Sequence, residues 1–290
     1  MRLEVDPPFR LLATVRLLQR RPRNPVDRWE EGAWLRLLDR REGPLAIAVR
    51  QTAPDALELR FPGRRPADRE AREVAALVRR TLGLDVDLAP FRRAARKDPR
   101  IARLMLGVRP PRFTSLFEAI LGVVPFQQLS LDAGVTLFAR VVERYGPCEE
   151  IDSVRLYAAP RPQAIAEASF DELRALGLSG AKVRALQRAA TAILEGRIGD
   201  EAIEELPTPE ARTLLRKLPG IGPWSADLVL LRGFGRLDAF PPGDVGVARG
   251  LTDFLGAPPS RELLDAFAPQ QGMLYYVALL SRLQARGLLT

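Results

Sequence analysis

The hydrophobic period changes partway along this 290-residue chain, and that change limits the fold more than any other feature. Residues 9–61 carry short apolar runs, FRLLATVRLL, WLRLLD, PLAIAVRQ and ALELRF, separated by Pro, Gly and Asp. Runs of that length between turn-forming residues read as strands of a mainly antiparallel sheet. The stretch DREAREVAALVRRTLG (68–83) then spaces its apolar residues as a helix does and stops at a glycine. From about Asp87 onward helix follows helix. Ser115 with Glu118 makes a capping box before LFEAILG, and Leu131, Val135, Phe138 and Val142 share one helical face ahead of Gly146. The expectation is an α+β protein: an N-terminal antiparallel sheet with helices over residues 1–90, then an all-helical part over 91–290. VRPPRF (108–113) reads as a connection between units. No tandem repeat or low-complexity segment interrupts the pattern.

Composition narrows the chemistry. There is no histidine and Cys148 is the only cysteine, which removes disulfide frameworks, Cys/His zinc sites, iron–sulfur clusters and imidazole acid–base catalysis. Carboxylates, hydroxyls, backbone dipoles and three lysines, Lys97, Lys182 and Lys217, are what remain. A formal charge of +8 suits an anionic partner such as nucleic acid, although an arginine-rich composition alone would produce it too. The N-terminus, MRLEVDPPFRLLATVRLLQRR, has no long apolar core and no window reaches the length of a membrane span, so a cytoplasmic protein with no membrane partner is expected.

One stretch, LPGIGPW (218–224), stands out. Thr208 sits where an N-cap belongs, Pro209 opens the helix, and Ala211, Leu214, Leu215 and Leu218 form its apolar stripe. After the GIG turn, Trp224, Leu228 and Leu231 continue the stripe on a second helix. Gly220 and Gly222 allow positive φ and close approach of the backbone to another surface, while the second helix turns its free N–H groups outward. That arrangement is a phosphate-sized anion site, and equally an ordinary helical hairpin whose glycines merely turn. Downstream, RGFGRLDAFPPGDVGVARGL (232–251) places Asp244 after two prolines and a glycine. Such an aspartate caps the following helix; held there, it also supplies a carboxylate able to stabilise a cation and orient water.

These segments together resemble the helix-hairpin-helix (HhH-GPD) DNA glycosylase superfamily, most closely its AlkA-like 3-methyladenine DNA glycosylase II branch. PPFRLLATVRLLQRRPRNPVDRWEEG resembles that branch's N-terminal sheet domain, FTSLFEAILG with QQLSL its first core-helix region, and APQQGMLYYVALL its last helix. The resemblance implies a helical core of two subdomains with the active-site cleft between them. It also implies an enzyme of base excision repair that flips a damaged, alkylated base out of double-stranded DNA and hydrolyses its glycosidic bond.

In that reading Asp244 is the essential carboxylate, and Trp224, Phe126, Leu228 and Gln270 line the base pocket. Leu228 and Gln270 stand where the family's best-known members place aromatics. Gly220 and Gly222, with Leu218 and Ile221 in the same turn, anchor DNA phosphate through the backbone; Lys217 and Arg249 are further phosphate contacts. Trp224 occupies the place at which bifunctional members carry a lysine that forms a Schiff base, so no lyase activity is expected.

The loop VVPFQQLSL (123–131) offers Gln127, Gln128 or Leu129 as the wedge that fills the emptied stack, with Gln128 the first choice; a buried turn packed by Phe126 and Leu129 fits as well. No organic cofactor is implied. In the family a monovalent cation on the hairpin carbonyls often bridges to DNA, and the usual state is a monomer. Two other readings stay open: a non-catalytic helix-hairpin-helix DNA-binding protein, which has no need of Asp244, and a glycosylase of oxidised or deaminated bases.

Overall fold

A computed structural model describes residues 1–289. Strands β1 (Arg2–Glu4), β2 (Arg28–Glu30), β3 (Ala33–Arg40), β4 (Gly43–Ala53) and β5 (Ala56–Arg60) form one antiparallel sheet in the order β1-β5-β4-β3-β2. Between β1 and β2 runs helix α1 (Leu11–Gln19), and α2 (Asp68–Thr81) follows the sheet. FRLLATVRLL is therefore mostly helix, where its composition suggested a strand. Leu11, Val15, Leu17 and Leu18 are all fully buried in the core that the sheet shares with the helices. A segment apolar on every side loses the periodicity that separates helix from strand.

The sheet is covered on both faces, which explains why β3 reads as a nearly continuous apolar run. Trp34 and Leu38 on β3, with Leu45, Ile47 and Val49 on β4, face the main core. Leu37 and Ala46 point the other way and pack against Leu156 and Ala158. Those last two belong to β7 (Val154–Tyr157) and the residue after it; β7 pairs with β6 (Cys148–Ile151) as a hairpin within the otherwise helical part.

The helices before β6 are α3 (Ala89–Ala95), α4 (Pro99–Met105), α5 (Leu116–Leu121) and α6 (Leu131–Tyr145), with a 3-10 turn at Val124–Phe126. After β7 come α7 (Pro162–Glu167), α8 (Phe170–Ala175), α9 (Gly180–Leu194), α10 (Asp200–Glu205), α11 (Thr208–Leu215), α12 (Pro223–Phe234), α13 (Val245–Leu255), α14 (Arg261–Ala266) and α15 (Met273–Ala285). None of the described helices is long and apolar enough to cross a membrane.

Buried charge ties the two parts together. Arg36, on the core face of β3, donates to Asp27 at 2.8 Å and to Glu118 of α5 at 2.5 Å, all three side chains being almost wholly buried. Half of the expected capping box is therefore absent. The Ser115 hydroxyl accepts the Glu118 N–H at 3.2 Å, but the Glu118 carboxylate turns to Arg36 and to the Thr114 N–H and hydroxyl. Arg232 of α12, fully buried, donates to the Leu17 and Leu18 carbonyls at 3.0 and 3.2 Å and so caps the negative end of α1. Arg36 thus joins the sheet to α5, and Arg232 holds the end of α1 against α12.

Candidate active site

The turn between α11 and α12 uses its two glycines differently. Gly220 has φ 85°, and a Cβ there would lie 2.6 Å from the Ala185 Cβ of α9. Gly222 has φ −84° and ψ −177°, an ordinary extended geometry, and a Cβ there would meet nothing within 4 Å. Positive φ, expected of both, is needed only at Gly220. Gly222 is instead the open N-cap of α12, where Pro223 removes one N–H and those of Trp224 and Ser225 have no acceptor inside the helix. The side chains of Leu218 and Ile221 are buried, and the Ile221 N–H is bonded to the Leu218 carbonyl at 3.1 Å. What the turn offers outward is thus backbone at Gly220 and Gly222, with exposed Lys217 beside it. Thr208 is the first residue of α11 rather than its cap, and its hydroxyl donates to Asp238 at 3.0 Å.

Asp244 caps α13: its Oδ1 accepts the Val247 N–H at 2.8 Å. Its Oδ2 accepts the indole N–H of Trp224 at 2.8 Å. The sequence reading made Trp224 either core or pocket wall; the side chain is half-buried, lines the cleft and holds the carboxylate. Both oxygens keep lone pairs free toward a cavity of about 350 Å³.

That cavity brings together Asp244, Trp224, Phe126, Leu228, Leu129 and Arg249 from the sequence-predicted set. Leu228 is buried at its floor, and Arg249 is exposed at its rim. Phe126 packs on Phe138, with ring centroids 6.5 Å apart. Tyr275, which the sequence reading did not single out, adds an aromatic from α15. Its hydroxyl is buried beside Arg232, and burial pushes its pKa up.

Gln270 is a correction. Its carbonyl accepts the Phe91 N–H at 2.9 Å and its amide donates to the Asp87 carbonyl at 2.6 Å, so it ties the start of α3 to the segment before α15, away from the cavity. The α5–α6 loop brings a second one. Gln128 is exposed at φ 57° outside the cavity, and Gln127 donates to the Gly220 carbonyl and the Ser225 hydroxyl, both at 2.8 Å, locking this loop to the hairpin. Leu129 is the loop residue that lines the cavity while 46% exposed.

Arginines were largely missed. Arg20, Arg21, Arg282 and Arg286 also line the cavity, with Asp132. Arg21 bonds Asp132 at 2.5 Å and holds its pKa down, and Arg286 lies 3.5 Å from the same carboxylate. No local pattern in RRPRNP or SRLQARG distinguishes these from surface arginines; only the packing of α15 against α1 and α13 does so.

Among the described residues no His, Cys, Asp and Glu cluster could hold a metal ion. The hairpin carbonyls are uncharged donors. Those of Leu218 and Gly220 each accept one N–H and keep a second lone pair, a set suited to a monovalent ion.

A glycine-turned helical hairpin followed by an aspartate capping the next helix, beside an aromatic-lined cleft, is the arrangement of base-excision DNA repair proteins. The chain belongs to the HhH-GPD superfamily of base excision DNA repair proteins, whose family model matches residues 121–266. It is 29% identical over 212 residues to a DNA-3-methyladenine glycosylase of Bacillus subtilis (strain 168), an alignment covering 71% of this chain and 70% of that protein. With DNA-3-methyladenine glycosylase 2 of Escherichia coli (strain K12) the identity is 33% over 146 residues, half of each chain. A solved 3-methyladenine DNA-glycosylase from Archaeoglobus fulgidus matches the structure with a TM-score of 0.83 at 25% identity, covering 98% of this chain and 99% of that one. That match supports the α+β class, an antiparallel sheet followed by a helical glycosylase fold.

Proposed function

We propose that the protein is a monofunctional DNA glycosylase that removes alkylated bases of the 3-methyladenine type from double-stranded DNA. The observation that carries this reading is the Asp244 carboxylate, held by the Val247 and Trp224 N–H groups at the wall of a base-sized, aromatic-lined cleft. An N3-methylated adenine already bears a positive charge, so the electron pair of the breaking C1′–N bond neutralises it and no acid is needed. The oxocarbenium ion left at C1′ is stabilised by Asp244 and takes up water, whose proton passes to the carboxylate and then to solvent. The products are the free base and an abasic site.

Trp224 stands at the position of the lyase lysine and cannot form a Schiff base. Lys182 is no substitute, because its amine donates to the Pro125 carbonyl at 2.9 Å and its side chain does not line the cleft. Leu129, apolar and exposed beside the cleft, takes the wedge role first given to Gln128. The backbone at Gly220 and Gly222 anchors a phosphate, and Lys217 and Arg249 add charge nearby. The Leu218 and Gly220 carbonyls would hold a monovalent cation, which would supply further positive charge toward DNA. The proposal includes a domain division near residue 90, a cleft between two helical subdomains, a monomer, and a cytoplasmic, nucleoid-associated site of action.

Base release from duplexes carrying 3-methyladenine, 7-methylguanine, hypoxanthine or 8-oxoguanine tests the reading, with Asp244→Asn as control. Asparagine keeps the size and removes the charge, but its single amide oxygen can accept from the Val247 N–H or the Trp224 N–H and not from both. We expect release of the alkylated bases by wild type, its loss in Asp244→Asn at unchanged DNA affinity, and no borohydride-trapped complex. Wild type that binds DNA and releases no base would leave a non-catalytic DNA-binding protein, and a trapped adduct would remove the monofunctional assignment.

A further inference from the structure

The α5–α6 loop is held firmly at its start and loosely at its tip, and Gln127 stands at the boundary. Up to Phe126 the loop is anchored from below. The Pro125 carbonyl accepts the Lys182 amine at 2.9 Å, and the Phe126 ring lies so close to Gly134 of α6 that a Cβ there would overlap it. Beyond Gln127 the chain is exposed at Gln128, Leu129 and Ser130. Gln128 turns through φ 57°, and the Leu129 N–H reaches back to the Phe126 carbonyl at 3.3 Å. Among the described residues, the hydrogen bonds that join this loop to the α11–α12 hairpin come from the Gln127 amide, which donates to the Gly220 carbonyl and the Ser225 hydroxyl, both at 2.8 Å. A backbone carbonyl only accepts, so the amide nitrogen must face the hairpin, and its two hydrogens are both used there. One side chain thus connects the tip that carries Leu129, the turn at Gly220, and the first turn of α12 next to Trp224.

We infer that Gln127 is a positioning residue for the wedge: it braces the loop tip against the hairpin, so that Leu129 enters the base stack instead of being pushed back. Parting a base step resists the inserted side chain, and that resistance falls on a tip with few backbone bonds of its own. A brace helps only when it ends on an element that the DNA itself holds. The hairpin is that element, because its backbone meets the phosphate. This assignment rests on the proposed roles of Leu129 as wedge and of the hairpin as phosphate anchor.

The test reads insertion apart from chemistry. A duplex carries 3-methyladenine on a 2′-fluoro sugar, which resists hydrolysis, with 2-aminopurine as its neighbour, whose fluorescence rises when stacking is lost. The lesion faces either thymine, its pairing partner, or a mismatched cytosine, and the rate of the rise is followed at saturating protein. Gln127→Met keeps the length of the side chain and cannot donate; Ser225→Ala removes one of the two acceptors and leaves the loop sequence intact. We expect the rate on the paired duplex to fall about tenfold in Gln127→Met and about threefold in Ser225→Ala, in line with two lost hydrogen bonds and one. The mismatched duplex, which opens readily, should slow much less. Gln127→Met combined with Leu129→Ser should be no slower than Leu129→Ser alone, since a brace without its wedge has nothing to hold. Equal slowing on both duplexes, or a double variant whose two losses multiply, overturns the inference, as does a wild type that never unstacks the 2-aminopurine. Should Gln127→Met melt early, the paired-to-mismatched ratio of Ser225→Ala decides by the same rule. A wild type that unstacks the 2-aminopurine yet releases no base from a cleavable duplex ends the glycosylase reading, while the same ratios still decide the role of Gln127.

Discussion

Replacing Trp224 by phenylalanine separates two jobs that the indole performs at once. The ring lines the cleft, and the N–H holds the Asp244 Oδ2 at 2.8 Å. Phenylalanine keeps an aromatic wall and loses the donor. A hydrogen bond to a charged group contributes about 1.5–3 kcal/mol, and because Trp224 and Asp244 are both half-buried, solvent compensation favours the lower end, about 1.5–2 kcal/mol. With about 1.4 kcal/mol per factor of ten, the rate of base release should fall about 10- to 30-fold. Oδ1 remains fixed by the Val247 N–H, so the carboxylate swings about one anchor and stays at the end of α13. The assay is single-turnover release of 3-methyladenine, paired with affinity for the same duplex bearing a 2′-fluoro sugar, which binds and resists hydrolysis. Stacking loss lowers affinity for the uncleaved analogue; misplacement of Asp244 lowers only the rate. An affinity within about threefold of wild type is expected, since an aromatic face remains. A Trp224→Phe rate close to wild type, or a fall in affinity as large as the fall in rate, would refute the positioning role.

The hairpin glycines should respond in opposite ways. Gly220→Ala puts a methyl 2.6 Å from Ala185 at φ 85°, and should destabilise the protein by about 1–3 kcal/mol in urea unfolding. Gly222→Ala meets open space at a permitted φ, so its stability should stay within about 1 kcal/mol while salt-dependent DNA affinity falls, the methyl standing where the phosphate approaches. Leu129→Ser should leave the melting temperature nearly unchanged, since the side chain is already 46% exposed, yet slow release from a fully paired duplex more than from a mismatched one that flips readily. Arg36→Met strands Asp27 and Glu118 in the core and should cost about 3–5 kcal/mol at pH 7. Burial already pushes the Asp27 pKa up, and loss of the guanidinium raises it further. A raised carboxyl pKa favours folding below the unfolded value and opposes it as pH rises, so the deficit should shrink in urea titrations taken from pH 7 toward about pH 4.

Local chemistry made a good part of this protein legible from its sequence. Strands β3, β4 and β5, the hairpin between Pro209 and Trp224, and Asp244 as a helix cap each depend on features within a few residues, and each stands where those features put it. The α1 segment was misread because it is buried on every side, and burial in three dimensions erases the one-dimensional period. Gln270 and Gln128 looked like pocket and wedge from their positions in the chain. The tertiary structure instead ties the Gln270 amide to Phe91 and Asp87, 179 and 183 residues away, and turns Gln128 outside the cleft, leaving Leu129 at its edge. The lining of the cleft by Arg20, Tyr275 and Arg282 was equally invisible, since it arises where α1, α13 and α15 meet and no neighbour in sequence records that meeting. Sequence alone determined the helical hairpin and the helix that Asp244 caps, because caps and turns are local. Which side chains face that carboxylate was decided by packing, because long-range burial and hydrogen bonding select among residues that look alike along the chain.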